Sequence, residues 1–419
     1  MATTLFVLLI IFLLLNVPLA ISVAFASIVA LLVADMNGFI AVQRMVTGLD
    51  TFSLMAIPLF MIAGKIMEKG GISKRLIDLA ASMVGSLTGG FAIVAVLATM
   101  FFSAISGSGP ATVVAIGSIM VPAMVKAGYD LRFSLALIAS AGTIGVIIPP
   151  SIPFITYGIT ANVSIGDLFL AGIFPGIIMG ISLMIYSYFV SKKRGYKGGE
   201  KFSFPVLVQR FKEAFLGLLM PFIILGGIYG GIFTPTESGA VACVYGLIIS
   251  LFVYRSMKVS DLKATFNEAG LLSAMVLFII GTANLMSWIL TTEQVPAKVS
   301  SIVGDFTGSQ LVLLLIIAAI FLFVGTFLEL NAAIILLVPI LLPILGAFDV
   351  DLIHFGIIMV VNLAIGLLTP PLGVNLFVAK SLADVSFNSI VKAAIPFLIV
   401  LIINLLLFIL IPQISTALL

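Results

Sequence analysis

The sequence predicts an all-α, polytopic membrane fold, and three observations carry that prediction. The 419 residues are 62% hydrophobic and only 9% charged, whereas a soluble domain of this length carries roughly a quarter charged residues. The apolar runs last 18 to 30 residues, enough for the roughly 20 of a membrane-spanning helix and too long for the alternating segments of about ten in a β-barrel. Finally, two apolar stretches 221 residues apart share one pattern, Gly145-Val-Ile-Ile-Pro149-Pro150 and Gly366-Leu-Leu-Thr-Pro370-Pro371. Proline lacks an N–H and pushes its predecessor out of the helical region, so neither stretch continues as a helix.

Composition also excludes whole classes. The net charge of +3 implies no nucleic acid, because the basic residues sit between the apolar runs. One cysteine, Cys243, permits neither a disulfide nor a thiolate metal cluster. The first 34 residues hold no Lys or Arg and one apolar run of about 30, too long for a cleaved signal peptide and without its basic flank.

Taken in order, apolar blocks fall at about 3–34, 51–67, 91–125, 133–160, 167–190, 214–233, 237–254, 270–290, 309–347, 352–379 and 393–412. Block 3–34 has a possible break at Asn16-Val17-Pro18 and room for two short spans. Blocks 91–125 and 309–347 are too long for one crossing. Each has small or polar residues midway, Ser103 to Thr112 and Gly325 to Asn331, which reads as a helical hairpin entering and leaving on one side. With both hairpins re-entrant and every other block crossing once, 18 of the 20 basic residues share one side, all but Arg44 and Lys298. That side is cytoplasmic by the positive-inside rule.

The first hairpin then enters from inside and the second from outside, each followed by a proline-broken helix. This is an inverted repeat, aligned without a gap from Pro122/Pro343 through Asp130/Asp351 to Gly145/Gly366. The expected organisation is N-terminal scaffold helices (1–50), a first repeat (51–190), a basic cytoplasmic loop (191–212), central scaffold helices (213–269) and a second repeat (270–412). A helix broken at membrane depth bares carbonyls that lipid cannot satisfy, so something else binds them. Paired breaks of this kind are the sequence pointer to the ion and substrate sites of a secondary transporter.

The first hairpin, Phe101-Phe-Ser-Ala-Ile-Ser-Gly-Ser-Gly-Pro-Ala-Thr112, offers hydroxyls and freed carbonyls, hard oxygen donors of the kind that suit an alkali cation. Ser103 and Ser106 are expected to face the carbonyls of Gly145 and Ile148 at the Pro149-Pro150 break. The plain alternative is that small residues only let helices pack closely. In the second hairpin, Gly325-Thr-Phe-Leu-Glu329-Leu-Asn331 faces Gly366, Thr369 and Pro370-Pro371, with Thr369 its clearest side-chain ligand. Glu329 is a functional candidate as a charge within a membrane segment; it would equally cap a helix or sit near the outer surface. No carboxylate lies near the first site, which favours a sodium ion over a proton. In Thr234-Pro-Thr-Glu237, Thr236 is the expected N-cap with Glu237 in the first turn, and Asp130 and Asp351 are expected at helix starts. The single Trp288 is expected as an interface anchor.

With Ser106-Gly-Ser-Gly-Pro-Ala-Thr112, Gly145-Val-Ile-Ile-Pro-Pro-Ser-Ile-Pro153, Thr234-Pro-Thr-Glu237 and Thr369-Pro-Pro-Leu-Gly-Val-Asn-Leu-Phe377 in view, the chain closely resembles the large membrane subunit of tripartite ATP-independent periplasmic (TRAP) transporters over essentially its whole length. The resemblance implies an inverted-repeat, elevator-type transporter of the bacterial inner membrane, with two re-entrant hairpins and two proline-broken helices, driven by at least two sodium ions. It places a first sodium site at Ser103, Ser106, Gly145, Ile148 and Pro150, and a second at Gly325, Gly366, Thr369 and Leu372. Ile148 and Leu372 would give backbone oxygen only. It implies a small four-helix membrane subunit, absent from this chain, and a periplasmic binding protein that delivers a carboxylate. Candidate substrate contacts are Ser106, Ser108, Ser151, Asn331 and Asn375, with sialic acid placed before C4-dicarboxylates. A stand-alone sodium–dicarboxylate symporter is the alternative. An enzyme is disfavoured, since His354 is the only histidine and no aspartate lies mid-hairpin.

Overall fold

The computed structural model describes every residue except 16, 200, 201, 307 and 372; for 300 and 302–306 it describes the helix alone. The described residues form helices and no strand. Helices α1 (Ala2–Leu14) and α2 (Leu19–Val33) divide the first apolar block. Pro18 stands just ahead of α2 in extended backbone, where a missing N–H interrupts no helical bond; of the expected break, Asn16 lies outside the described residues. A short α3 (Phe39–Thr47) leads through a 68° bend into α4 (Ala56–Lys69). Then come α5 (Ile72–Val84), α6 (Gly90–Ser106), α7 (Gly109–Lys126), α8 (Leu131–Ala141), α9 (Ile152–Ala161) and α10 (Ile165–Arg194). Next are α11 (Phe204–Tyr229), α12 (Pro235–Ile248), α13 (Val259–Thr292) and α14 (Val295–Phe306). The chain closes with α15 (Gln310–Val324), α16 (Leu330–Ala347), α17 (Leu352–Gly366), α18 (Val374–Ser381), α19 (Phe387–Leu410) and α20 (Gln413–Thr416).

Among the described residues, seven helices are long and apolar enough to span a membrane, or eight if the bent pair counts as one span. Both over-long blocks are two helices each, split at Gly107-Ser108 and at 325–329. The first pair packs arm on arm. In the second the arms part: α15 lies on α17, while α16 lies against α9, α13 and α14.

Helix order repeats along the chain. From α5/α14 through α10/α19, partner helices begin within two residues of a 221-residue offset, and α7/α16 and α8/α17 begin at that offset itself. Asp130 and Asp351 cap the paired helices α8 and α17, accepting from the N–H of Phe133 at 2.9 Å and of His354 at 2.7 Å. Burial repeats too: residues 133–147 are buried without exception, and so are 354–368, the same positions displaced by 221. The two broken helices thus form the centre of the molecule, their own Phe154 and Phe355 fully buried with Phe169 of α10 and Phe321 of α15.

The hydrogen bonds and ion pairs between helix ends respect the charge partition. Lys69–Glu268, Arg210–Asp78 and Tyr129 to the Lys197 carbonyl join segments on its basic side. Met1 amine–Glu293, Asn284 to the Gly48 carbonyl, Tyr229 to the Gly166 carbonyl and Tyr157 to the Leu352 carbonyl join segments on the other.

Several expectations need correction. The N-cap of α12 is Thr234, not Thr236: Thr234 and Glu237 form a reciprocal capping box, and Thr236 instead donates to the Phe52 carbonyl at 3.3 Å. The basic loop is mostly helix, because α10 runs on to Arg194 and α11 starts at Phe204. Helix α13 runs unbroken through 269–270, so the boundary drawn there on hydropathy falls inside a helix. Amphipathic α3, α5 and α14 were not anticipated, since charges within them interrupt the apolar runs. Trp288 sits under the Arg44 guanidinium, 5.1 Å from the ring centre.

Candidate functional site: two broken helices facing two helix turns

At the first break α8 ends at Ala141, tightens into a 3₁₀ turn over Gly142–Val146, and resumes as α9 after Pro149-Pro150. The turn between α6 and α7 meets it backbone to backbone. Gly107, which ends α6, has φ +58°, and a Cβ there would lie 2.8 Å from the Pro150 carbonyl oxygen. A Cβ on Gly145 would lie 2.8 Å from both the Ser108 carbonyl oxygen and the Thr112 hydroxyl. Only glycine allows these approaches, for conformation at 107 and for space at 145.

The hydroxyls are oriented by local bonds. Ser103 donates to the Thr99 carbonyl at 2.7 Å and is fully buried. Ser106 and Thr112 pair at 2.8 Å, and Thr112 also reaches the Ser108 carbonyl at 2.7 Å. No backbone N–H among the described residues donates to the carbonyls of Gly145, Ile147 or Ile148. The Gly145 and Ile148 carbonyls are therefore acceptors that the backbone does not use, whereas the Ile147 carbonyl faces Gly172 of α10.

The second break repeats the theme with different parts. Helix α17 ends at Gly366, and a Cβ there would meet the Gly325 carbonyl oxygen at 2.5 Å and its Cα at 2.7 Å. Thr369 donates to the Ile365 carbonyl at 2.9 Å, and the Gly325 carbonyl receives no backbone N–H among the described residues. Leu372 lies outside the described residues. Glu329 is the N-cap of α16, one carboxylate oxygen accepting from the Ala332 N–H and the other from the Asn331 amide, each at 2.9 Å. Asn331 in turn accepts from Thr156 of α9 at 3.1 Å, which ties the second turn to the first broken helix. Among the described residues no cluster of three His, Cys, Asp or Glu side chains forms; the groups pressed together at the two breaks are hydroxyls and backbone carbonyls, with the Glu329 carboxylate beside the second.

Between the two turns and the helices α4 and α13 lies a cavity of about 560 Å³. Ser106, Ser108, Glu329 and Asn331 line one wall; Met61, Lys65, Leu272 and Met275 line the other. Of the expected substrate contacts, Ser106, Ser108 and Asn331 therefore share the cavity. Ser151 does not: it is fully buried, donating to the Val146 carbonyl at 2.5 Å and accepting from the Phe154 N–H. It staples the two halves of the broken helix. Asn375 is also fully buried, its amide donating to the Ala139 carbonyl at 3.2 Å, its oxygen without a partner among the described residues. Thr112, Thr156, Gly64 and Lys65 are residues that sequence reasoning passed over. Gly64-Lys65 interrupts the apolar face of α4, and that was the one available signal.

Comparison with known proteins bears directly on this arrangement. Residues 6–414 match the family model "Tripartite ATP-independent periplasmic transporter, DctM component". The isethionate TRAP transporter permease protein DctMQ of Oleidesulfovibrio alaskensis is 47% identical over 92% of this chain, which spans 61% of that protein's length. The C4-dicarboxylate TRAP transporter large permease protein DctM of Pseudomonas aeruginosa is 43% identical, covering 88% of this chain and 86% of its own length. The sialic acid TRAP transporter large permease protein SiaM of Vibrio cholerae is 38% identical, covering 95% and 94%. In fold, the chain is similar to the YdaH transporter of Alcanivorax borkumensis, with a TM-score of 0.64 over 88% of this chain and 87% of that one at 14% identity.

Proposed function

The chain belongs to the DctM component family of tripartite ATP-independent periplasmic transporters, and from that premise we propose that it carries a small organic anion across the bacterial inner membrane, driven by sodium. As a member of that family it is a transporter permease subunit rather than an enzyme. The observation behind sodium coupling is the pair of breaks in which Gly145 and Gly366 each press against the backbone of a helix turn beside carbonyls that lack backbone donors. Ser103, Ser106, Gly145, Ile148 and Pro150 would surround one ion, and Gly325, Gly366, Thr369 and Leu372 the other. A cation at each place would give the Gly145 and Ile148 carbonyls in the first and the Gly325 carbonyl in the second a partner that the backbone does not, and hold turn and break together, coupling ion binding to closure around the anion.

The repeated helix order and repeated burial support an inverted repeat, with the broken helices and their turns moving as a unit against α4 and α13. A small membrane subunit and a periplasmic binding protein complete the system on this reading. Among relatives the named cargoes are isethionate, C4-dicarboxylates and sialic acid; common to them is a small acid. The cavity wall is largely apolar with few hydrogen-bonding side chains, and a polyhydroxylated sugar acid would leave many of its hydroxyls unpaired there. We therefore place a compact carboxylate or sulfonate ahead of sialic acid.

The test is uptake of radiolabelled succinate, isethionate or sialic acid into proteoliposomes holding this chain with its two partners, with and without an inward sodium gradient. Accumulation should require sodium, and Ser103→Ala or Thr369→Ala should raise the sodium concentration for half-maximal uptake about tenfold, the loss of one oxygen ligand to a charge. Sodium-independent accumulation, or an unchanged sodium response in both variants, refutes the coupling. Uptake without the binding protein would favour a stand-alone symporter.

A further inference from the structure

Resting on the transport reading above, we infer that Lys65 is the counter-charge for the transported anion, held by Glu68 until the anion displaces it, and that this exchange sets the cavity's affinity. Lys65 is the one basic side chain among the described residues of the cavity wall. Gly64 brings it there: a Cβ at Gly64 would lie 3.2 Å from the Ser106 carbonyl oxygen, so α4 rests on the tip of the first turn and the next residue opens into the cavity. Ser106 and Ser108 stand on that same tip, facing the same space.

The charge balance explains why the cation must be released. Lys65 and Glu68 pair at 2.9 Å, each about one-fifth exposed, and Glu329 adds a second carboxylate to the wall. With the pair closed, an entering anion meets an uncompensated carboxylate in a space partly withdrawn from water, where repulsion is stronger than in bulk. Glu329 cannot retreat, since both its oxygens are engaged at the start of α16. Lysine carries three donors on a flexible stem, so Lys65 is able to turn from Glu68 to an incoming carboxylate or sulfonate. The pair is also badly placed for mere stability. Glu68 lies in the last turn of α4, where a negative charge opposes the helix dipole, and an acid following its base is the weaker order for such pairs.

Two measurements test this on the full chain. In proteoliposomes with its partners, succinate uptake by Lys65→Gln should show KM raised about tenfold, as for one lost charge-assisted bond, with the maximal rate within about twofold. Lys65→Arg should recover most of the affinity. Glu68→Gln should lower KM and slow the maximal rate, because the anion no longer competes for Lys65 and leaves less readily. A purely structural pair would move KM little, or move it the same way in both variants, and either result overturns the inference. In detergent, the thermal stabilisation of the chain by succinate, isethionate or sialic acid should vanish in Lys65→Gln and persist in Lys65→Arg. Wild-type uptake without any Lys65 effect sinks this inference and leaves the transport reading standing. A Lys65-dependent stabilisation without uptake of any of the three anions overturns the inference together with the transport reading, because no transported anion is then left for Lys65 to serve. Absence of both stabilisation and uptake overturns both as well.

Discussion

A methyl group added at Gly366 would lie 2.5 to 2.7 Å from the backbone of Gly325, and one added at Gly145 would lie 2.8 Å from the Ser108 carbonyl oxygen. Gly366 is the last residue of α17, and inside a helix alanine is ordinarily favoured over glycine by about 1 kcal/mol. Here the contact atoms are backbone, which cannot rotate aside, so overpacking of about 1–3 kcal/mol wins. Gly366→Ala is therefore expected to lower the thermal unfolding midpoint in detergent and abolish uptake, and a variant as stable and active as wild type would refute the close-packed break. At this scale the sequence was informative where chemistry is local: glycine before two prolines could only mean a break. It was silent on partners. Ser151 and Asn375 sit in motifs that read as substrate contacts, yet both are buried behind the cavity because their hydrogen bonds run to Val146 and Ala139.

Among elements, the start of α16 carries the clearest trade between capping and chemistry. Glu329 caps this helix and orients Asn331, and one carboxylate does both. Glu329→Ala should cost about 1 kcal/mol, the usual worth of a side-chain N-cap, read as a lower unfolding midpoint, with uptake impaired through the freed Asn331. Glu329→Gln keeps an acceptor for the Ala332 N–H but turns an NH2 toward Asn331, whose amide must flip to accept from it and donate to the Thr156 hydroxyl instead; with that exchange the variant should retain stability and transport. Uptake lost equally in both variants at unchanged stability would assign the role to charge rather than to the cap. Long apolar helices were legible in sequence to within a few residues at their apolar ends. Their polar ends were not: α11 and α13 each begin about ten residues before their apolar blocks, since a helix stays helical after leaving an apolar environment. The amphipathic α5 was missed because Lys74, Arg75 and Asp78 interrupt its apolar run, although Ile72, Leu76, Ile77 and Ala80 already mark one buried face.

For the molecule as a whole, the proposed motion requires the contact between α4 and the first turn to break in each cycle. With Cys243 replaced by serine, the chain offers a cysteine-free background. In it, Gly64→Cys with Ile105→Cys places two thiols across that contact, a Cβ at Gly64 lying 3.7 Å from the Ile105 carbonyl oxygen. The single variants set the baseline, Gly64→Cys with some loss because its Cβ would lie 3.2 Å from the Ser106 carbonyl oxygen. A short thiol cross-linker should stop the uptake that remains in the double variant and leave that of each single variant unchanged; unaffected transport by the cross-linked protein would exclude relative movement there. This contact was beyond the reach of sequence, because Gly64 and Ser106 belong to different helices and nothing in either segment names the other.

The sequence by itself determined the membrane class, the order of the long apolar segments, the two breaks and their 221-residue spacing, because hydropathy, proline and glycine act through the chain's own backbone. The tertiary structure alone decided which serines and asparagines face the cavity, that the second pair of helix arms parts where the first stays together, and that Lys65 stands against the first turn. Those depend on which helix lies beside which, and a pattern of apolar faces in lipid is satisfied by many neighbours until packing of small residues selects one.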